Sequence, residues 1–491
     1  MNENVSTITS FSSSDLDAAE ARLCRLEFFE FVKSFWDVII KEEPEYNWHI
    51  PYLCEELQKL SVPIVARQKK LYDIIINIPP GTTKTTIVTI MYPAWIWTQD
   101  PTLRIITNSY SKELSIEHAT KSKDIITSDK YKRLFPEVAL RRDKAGKASY
   151  ENTSTGARYV TSSGSAITGK HAHLIINDDP QNPQQAESEA ERKTANDHTK
   201  TLSSRKVHKE KTPVVTIMQR LHEDDVTGYL LKKKSESIKH ICLPAELSDR
   251  VLPVELKDHY VDGKLDPSRL GDSALEEAKI DLGSRGYAGQ FEQTPGSDEG
   301  NIIKKEWFTK IPRSEFDYLR DSQPIIFFGD TAFTDRKEND PSGFLGSCRI
   351  GNKIYITHAT KIRKKFPDLI RFLPDYLKVN GYTDRSSLRI EPKANGLSVI
   401  DQLQESTDLN VTETPSPTDS KSTRLYAISP TIECGRVVLV EGDWNEEFIE
   451  EVAGFPVKVH DEYVDILTYA VDYHEGNVEE DQTDILNAFG R

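Results

Sequence analysis

One stretch of the sequence, IIINIPPGTTKTT at residues 74–86, constrains the fold more strongly than any other. Asp73 to Ile78 is rich in β-branched residues, which is typical of a central parallel strand buried on both faces. Pro79 and Pro80 cannot continue the hydrogen-bonded ladder of that strand. Thr85 to Trp97 then has the pattern of a helix, so the stretch predicts a buried strand, a tight loop and a helix.

The loop has the size and the residue types of a phosphate-binding loop. The first turn of the following helix presents free backbone N–H groups and the positive end of its dipole to an anion. Lys84 is suited to the β- and γ-phosphates of a nucleotide, and the Thr85 hydroxyl to Mg²⁺. The predicted ATP-contacting residues are Gly81, Thr82, Thr83, Lys84, Thr85 and Thr86.

This loop departs from the full pattern G-x-x-x-x-G-K-[ST]. The pattern requires glycine at positions 78 and 83, where this chain has Ile78 and Thr83. An ordinary connection between a strand and a helix therefore remains an alternative for this segment taken alone.

Composition indicates a soluble globular protein of two or three domains. The chain has 491 residues, of which 29 % are charged and 37 % hydrophobic. No window approaches the length of apolar sequence that a membrane span needs, and the Ser-rich start lacks the features of a signal peptide. We expect a cytoplasmic protein that does not enter a membrane.

Cysteine usage and net charge argue against several further classes of protein. The five cysteines are widely spread without a C-x-x-C pair, which favours reduced thiols over a zinc site or disulfide framework. The net charge of −15 argues against a protein that coats nucleic acid indiscriminately, although it allows a local basic channel.

Two acids follow the apolar strand predicted at His173 to Asn177. In a nucleotide site, Asp178 would hold the Mg²⁺ that bridges the phosphates, and Asp179 would polarise the attacking water. The alternative is a strand that ends in an Asp-Asp-Pro turn. Because the phosphate-binding loop lies upstream on another predicted strand, the sequence favours the nucleotide site.

A further polar segment follows the strand predicted at Val214 to Met218. Arg220 lies two residues beyond this strand, at the edge of a parallel sheet where ligands bind. We predict that Arg220 senses the γ-phosphate, with a surface salt bridge as the alternative.

The second half of the chain places acids on three separate elements. Asp330 follows the strand Ile325 to Phe328, and Glu391 follows the strand Ser387 to Ile390. Asp461 and Asp465 lie four residues apart at the head of a late helix, on one face of it. Acids arranged in this way can hold two divalent metals that act on a phosphodiester. Beside these strands a basic cluster, Lys361, Arg363, Lys364 and Lys365, either binds the duplex or is a solvated loop.

Over residues 25–475 the sequence resembles the large terminase subunit of tailed bacteriophages and prophages. The segments that carry this resemblance are Ser163-Gly164 through Thr168-Gly169 into LIINDDP, QRLHEDDVTGYLL (219–231), GYAGQFEQTP with Gly300, GDTAF (329–333), IEPKANG (390–396), Lys421 and Arg424 before Gly435-Arg436-Val437, and HDEYVD (460–465). Together these segments are far more specific than the loop alone.

The resemblance implies an α/β protein with two catalytic domains. The first would be a P-loop ATPase of the ASCE type with a parallel sheet, which drives DNA translocation. It would use Lys84, Thr85 and Asp178 to bind phosphate and Mg²⁺, Asp179 as the catalytic carboxylate, and Arg220-Leu221-His222 for coupling. The second would be an RNase H-like endonuclease that cuts concatemeric double-stranded DNA. Its catalytic metal ligands would be Asp330, Glu391 and Asp461, with Asp465 as the next acid, and its metal Mg²⁺ or Mn²⁺.

The family also implies partners and a place of action. Terminases of this kind work with double-stranded DNA, a portal protein and a small terminase subunit. They assemble as homo-oligomeric rings on the portal. They act in the host cytoplasm, dock transiently on the procapsid and are absent from the mature virion.

Five regions are predicted along the chain. They are a flexible tail (1–20), the ATPase domain (21–245), a connector (246–320), the nuclease domain (321–475) and an acidic C-terminal tail (476–491).

Two departures from the family pattern leave other functions open. Gly81 and Thr83 stand where many members have a basic residue and a glycine, and Asp179 stands where glutamate is usual. The alternatives are a metal-dependent RNase H-like nuclease, or a structural packaging component, whose first domain binds nucleotide without hydrolysing it.

Overall fold

The structure is a computed structural model that describes residues 12–147, 149–296, 302–331, 341–393, 396–456 and 461–489. Several motif residues quoted above, namely Gly300, Ala332, Phe333, Ala394, Asn395 and His460, lie outside these ranges. The chain divides into two compact units, one comprising residues 1–277 and 285–297 and the other residues 278–284 and 298–491.

The first unit is built around an eight-stranded sheet. Its strands are β1 (Asp73–Asn77), β2 (Arg104–Ser109), β3 (Leu140–Ala145), β4 (Ser149–Asn152), β5 (Ala157–Ser162), β6 (Leu174–Asp178), β7 (Val214–Met218) and β8 (Ile238–Cys242). They lie in the order β3-β4-β5-β2-β6-β7-β1-β8. All neighbours from β5 to β8 are parallel, while β3 and β4 add an antiparallel edge. The predicted parallel α/β sheet is confirmed.

Helices cover this sheet. They are α1 (Ser13–Leu26), α2 (Phe28–Ile39), α3 (His49–Val65), α4 (Tyr92–Gln99), α5 (Lys112–Thr127), α6 (Asp129–Leu134), α7 (Pro183–Glu187), α8 (Glu189–Ser203) and α9 (Val226–Lys234). The next helix, α10 (Asp272–Gln290), has residues in both units. A π-helix (Thr86–Met91) precedes α4, and 3₁₀ turns lie at Ser235–Ser237 and Val254–His259. The central strands β6 and β7 are buried along their whole length, as apolar parallel strands covered on both faces must be.

The second unit contains a seven-stranded sheet. Its strands are β9 (Thr309–Ile311), β10 (Ile326–Asp330), β11 (Ser342–Ile350), β12 (Lys353–Ile362), β13 (Ser387–Ile390), β14 (Val411–Glu413) and β15 (Val437–Val440). They lie in the order β14-β13-β10-β11-β12-β15-β9. The strands β10, β11 and β12 form an antiparallel meander, and β13 joins β10 in parallel.

Helices of the second unit flank this sheet. They are α11 (Arg313–Arg320), α12 (Phe366–Val379), α13 (Gly396–Ser406), α14 (Lys421–Glu433), α15 (Asn445–Gly454) and α16 (Glu462–Phe489), with a 3₁₀ turn at Lys305–Trp307. Two apolar clusters form the core of this unit. One includes Phe328 and Leu467, and the other Phe327 and Leu388.

The chain start and the first helix differ from the prediction. The predicted tail (1–20) is helical from Ser13, because Ser12 and Asp15 form a capping box in which each side chain accepts from the other residue's backbone N–H. Apolar residues at helical spacing predict a single helix from Ala21 to Lys41, whereas the structure has two helices there. Glu27 is extended (φ −129°, ψ 115°) and breaks the helical run between α1 and α2.

The predicted connector (246–320) is divided between the two units. Residues up to 277 belong to the first unit, whereas residues 302–320 belong to the second and supply β9 to its sheet. The helix α10 is interrupted at Gly283, whose φ of 64° is not helical. The predicted tail (476–491) is helical as far as Phe489, because α16 continues through it.

Two chemical predictions from composition can be compared with the described residues. All five cysteines are free, and four of them are buried, while Cys434 is exposed. In the part of the chain that the structure describes, no helix is both long and apolar enough to cross a membrane.

Candidate active sites

The loop after β1 has the backbone conformation of a glycine-containing turn. Gly81 has a φ of 76° and Thr83 a φ of 66°. A positive φ is costly for a β-branched residue, so Thr83 occupies a conformation that glycine adopts more easily. The loop therefore keeps its turn although the second glycine of the pattern is missing.

The carboxyl ends of β1, β6 and β7 bring the predicted phosphate-loop and acidic residues together. The Thr85 hydroxyl donates to Asp178 Oδ1 at 3.1 Å. Lys84 Nζ lies 3.5 Å from Asp179 Oδ2 and donates to Gln219 Oε1 at 2.9 Å. Sequence reasoning missed Gln219, although its place just after β7 is a signal for a residue at this edge.

Asp178 is fully buried. Burial, followed by the neighbouring charge of Asp179, raises the pKa of Asp178 to about 7. His118 Nδ1 lies 3.7 Å from Asp178 Oδ2, but burial and then Arg158 lower the pKa of His118 to about 4, so this imidazole is neutral near pH 7. Among the described residues, Oδ2 of Asp178 has no hydrogen-bond partner. A buried carboxylate beside a threonine hydroxyl suits a hard divalent cation such as Mg²⁺.

The backbone also bears on the choice of acid at position 179. Asp179 has a φ of 39°. Aspartate tolerates this left-handed region better than most side chains, because its short polar group bonds locally. This conformation therefore favours aspartate over most other side chains at position 179.

Arg220 does not point freely into the nucleotide region. Its Nε donates to Asp225 Oδ2 at 2.9 Å, and its Nη2 donates to the His222 carbonyl at 3.3 Å. Asp225 is fully buried and also caps α9 through the Gly228 N–H. The structure thus has a salt bridge at Arg220, but with a buried partner and not on the surface as the alternative had it, and this salt bridge holds the 220–225 turn. The role of Arg220 toward the γ-phosphate stays a prediction.

In the second unit, two acids lie at one edge of adjacent strands. Asp330 ends β10 and Glu391 follows β13, with Gly329 paired to Ile390 in the parallel register. The Glu391 backbone N–H donates to the Gly329 carbonyl at 3.2 Å. Tyr469, on α16, donates its hydroxyl to Glu391 Oε2 at 2.7 Å.

The other two predicted acids lie at the head of α16 and are bridged by cations from α14. Lys421 Nζ is 2.6 Å from both Asp461 Oδ1 and Asp465 Oδ2. Arg424 Nη2 is 2.5 Å from Asp465 Oδ1. Asp461 is 35 % exposed, whereas Asp465 is 4 % exposed. The motif residues Lys421 and Arg424 thus contact the predicted metal ligands.

Three of these acids, Asp330, Glu391 and Asp465, interact electrostatically. Burial, followed by the charges of Asp465 and Glu391, raises the pKa of Asp330 to about 6, against the opposing effect of Lys421 and Arg424. Within the described ranges, no three metal-ligating side chains are arranged as a ready-made metal site. The donor set consists of carboxylate oxygens, which are the ligands that Mg²⁺ and Mn²⁺ prefer.

The predicted basic cluster separates into two parts. Lys361 is paired with Glu447 and Glu451, at 2.8 Å and 2.6 Å. The remaining cations line a surface pocket together with the first turns of α12. The residues of this basic pocket are Arg363, Lys364, Lys365, Asp368, Arg371 and Phe372.

Comparison with known proteins adds an independent line of observation. Residues 378–474 match the family described as "Terminase RNaseH-like domain". No curated protein matches the sequence.

Several solved structures resemble most of the chain. The large terminase of a thermophilic bacteriophage (crystal form 2) is 14 % identical with a TM-score of 0.50, over 85 % of this chain and 98 % of that one. The same terminase in complex with ADP (crystal form 3) is 12 % identical with a TM-score of 0.49, at the same coverage. The HK97 bacteriophage large terminase is 10 % identical with a TM-score of 0.36, over 91 % of this chain and 99 % of that one.

The similarity to the crystal form 2 structure extends over both units. It confirms the predicted fold, in which an ATPase-type α/β domain is followed by an RNase H-like domain. The family match adds that residues 378–474 of the second unit resemble a terminase RNase H-like domain.

Proposed function

We propose that this chain is a large terminase subunit. It hydrolyses ATP in its first unit to drive double-stranded DNA into a procapsid, and it cuts concatemeric DNA with a two-metal endonuclease in its second unit. The observation that carries the first half is the contact between Thr85 and Asp178, with Lys84 beside Asp179. The observation that carries the second is the coupled set of acids around Asp330.

In the ATPase site, each residue has a distinct role. Lys84 binds the β- and γ-phosphates, and its present partners Gln219 and Asp179 hold it at the edge of the sheet. Thr85 and Asp178 hold Mg²⁺, which neutralises charge on the phosphates when bound. Asp179 orients the attacking water. The backbone N–H groups of the loop from Gly81 to Thr86 supply the rest of the phosphate cradle.

In the nuclease site, Asp330, Glu391 and Asp465 would hold the metals, for which we propose Mg²⁺ with Mn²⁺ as a substitute. Two metals supply an activated water and stabilise the leaving oxygen of the phosphodiester. Tyr469 orients Glu391 through its hydroxyl. Lys421 and Arg424 contact the carboxylate oxygens of Asp465 and would compete with a metal for them.

The choice between Asp461 and Asp465 as third ligand can be argued from burial and coupling. Asp465 is almost fully buried, and its charge acts on Asp330 more strongly than that of any other carboxylate. Asp461 precedes the first residue of α16 and is one-third exposed. We therefore favour Asp465, and assign Asp461 the role of holding Lys421.

The basic pocket is the proposed contact for the duplex. Arg363, Lys364, Lys365 and Arg371 are exposed, and Asp368 is the one acid among the pocket residues. Such a cluster suits the phosphate backbone, which attracts Lys and Arg independently of sequence. Lys361 takes no part, because Glu447 and Glu451 neutralise it.

The remaining elements of the proposal rest on the family resemblance. We propose that the chain acts in the host cytoplasm, forms a ring on a portal protein and receives DNA selected by a small terminase subunit. The arrangement of a ring and a portal is the usual setting of such a motor.

Cleavage of plasmid DNA with Mg²⁺ or Mn²⁺ tests the nuclease assignment. We expect Asp330→Asn, Glu391→Gln and Asp465→Asn to lose cleavage by about a hundredfold or more, as is typical when a metal-binding carboxylate is removed. Asp461→Asn should retain most activity. Asp375→Asn, an exposed acid on α12, is the matched control and should cleave as the wild type does. Full activity in Asp465→Asn together with loss in Asp461→Asn would reverse the assignment of the third ligand.

A further inference from the structure

A cation from a distant part of the chain lies beside the phosphate-binding loop. Arg269 Nη1 donates to the Gly81 carbonyl at 3.4 Å, across 188 positions in the sequence. Both residues belong to the first unit. Gly81 stands where many members of the family that the sequence resembles have a basic residue.

The segment that carries Arg269 is fixed to the base of the loop. Trp48 Nε1 and Asn47 Nδ2 both donate to the Leu265 carbonyl, at 3.1 Å and 2.5 Å. His49, the next residue, contacts the Thr82 carbonyl through Nε2 at 3.1 Å. One short segment therefore contacts both the loop and the turn that holds Arg269.

The neighbours of Arg269 orient its guanidinium group but do not use all of its hydrogen-bond donors. Its Nε lies 3.9 Å from Asp266 Oδ2, beyond hydrogen-bond distance, and has no hydrogen-bond partner among the described residues. The side chain is 31 % exposed. Asp266 is 2 % exposed and is engaged by Ser268 Oγ at 2.9 Å and by the Arg269 backbone N–H at 3.4 Å. The long contact with Gly81 leaves most of the five guanidinium donors available to a ligand.

The charge balance at the loop favours a second cation. Lys84 Nζ lies 3.5 Å from Asp179 Oδ2, so the charge of Lys84 is already partly balanced before any nucleotide arrives. A nucleoside triphosphate with one Mg²⁺ adds further negative charge. An arginine fork matches phosphate oxygens in both charge and geometry.

We propose that Arg269 binds the phosphates of the nucleotide and supplies the positive charge that position 81 lacks. Gly81 itself has open space around the position of a Cβ, so the region beside it is not filled by packing. This inference rests on the proposed ATPase function. It assigns a nucleotide-binding residue that lies far from the P-loop sequence.

Titration with the fluorescent nucleotide mant-ATP tests the proposal at two salt concentrations. We expect Arg269→Ala to weaken the affinity about tenfold or more, as for a lost charge-assisted hydrogen bond, and to flatten its salt dependence. Arg269→Lys should recover part of the affinity. Arg250→Ala is the matched control, because Arg250 is an exposed arginine of the same segment.

Each other outcome counts against the proposal. Arg269→Ala with wild-type affinity overturns the role of Arg269 and leaves the ATPase untouched. Arg269→Ala could instead weaken the affinity for mant-ATP, leave its salt dependence unchanged and clearly lower the melting temperature. That result would show that Arg269 has a structural role, and it would also overturn the proposal. A wild type that binds no mant-ATP contradicts the proposed ATPase itself, and the inference falls with it.

Discussion

The hydroxyl of Thr85 donates to Asp178 Oδ1 at 3.1 Å, although 93 positions separate the two residues in the sequence. The strand β7 lies between β6, which ends in Asp178, and β1, which leads into the loop. Because all three strands run parallel, their carboxyl ends meet at one edge of the sheet. This relationship connects the phosphate-binding loop to the acid that would hold its metal.

Thr83 is expected to limit stability. A non-glycine residue with a positive φ costs roughly 1–2 kcal/mol, and glycine loses roughly 0.5–1 kcal/mol more backbone entropy on folding than alanine. We therefore expect Thr83→Gly to raise the free energy of unfolding of the first unit by about 0.5–1 kcal/mol, measured by urea unfolding.

The neighbouring threonine provides a control of opposite sign. Thr82 is buried, and its hydroxyl donates to the Pro79 carbonyl at 2.7 Å, so Thr82→Gly should lower stability. If Thr83→Gly and Thr82→Gly lowered the free energy of unfolding by similar amounts, the backbone at Thr83 would not be strained.

The raised pKa of Asp178 predicts that the free energy of unfolding depends on pH. Its pKa is raised from 3.8 to about 7 by burial and by Asp179. The folded state therefore keeps a proton that the unfolded chain releases at lower pH. Stability falls as the pH rises from about 4 to about 7 and then stays at its lower value. Asp178→Asn removes this loss and should stabilise the protein by roughly 2–4 kcal/mol at about pH 8 but little at about pH 4.

Thermal unfolding of the nucleotide-free protein across this pH range measures the effect. Asp124→Asn, at an exposed position on α5, should unfold as the wild type does at every pH. A stability difference between Asp178→Asn and wild type that does not vary with pH would contradict a raised pKa.

Two lysines of one short segment should behave in opposite ways. Lys364 is an exposed residue of the basic pocket, so Lys364→Ala should weaken binding of double-stranded DNA and reduce the salt slope by about one unit. Lys361 is held by Glu447 and by Glu451, which is 5 % exposed, so Lys361→Met should leave DNA binding unchanged. It should instead destabilise the second unit by roughly 1–3 kcal/mol, because it leaves a buried carboxylate without its cation.

Fluorescence anisotropy with a duplex probe and urea unfolding separate these effects. Lys378→Ala, an exposed lysine at the far end of α12, is the control for simple loss of charge. A weaker DNA affinity in Lys361→Met than in Lys364→Ala would contradict the division of the cluster.

The apolar strands that end in acids could be predicted from the sequence, since a strand buried on both faces reads as an unbroken run of β-branched and aromatic residues. Thus β6 before Asp178 and β10 before Asp330 were predicted within two residues of their bounds. The strands β3, β9 and β14 were missed, because they are polar or only three residues long and lie at or near sheet edges.

Contacts between distant residues could not be predicted from spacing. The pairing of Lys421 with Asp461 and Asp465 depends on how α14 packs against α16, which no local pattern reveals. The approach of Arg269 to Gly81 depends in the same way on the turn fixed by Asn47 and Trp48. The break at Glu27 was missed because apolar residues continue at helical spacing through it.

Steady-state ATP hydrolysis tests the central claim most directly, with wild type and Lys84→Ala measured with and without linear double-stranded DNA. Lys112→Ala, an exposed lysine at the start of α5, is the matched control. The account predicts turnover in the wild type and in Lys112→Ala, and its loss in Lys84→Ala. A wild type that hydrolyses no ATP even with DNA, portal protein and small terminase subunit present would contradict the motor, and would leave a nuclease joined to a domain that does not hydrolyse nucleotide.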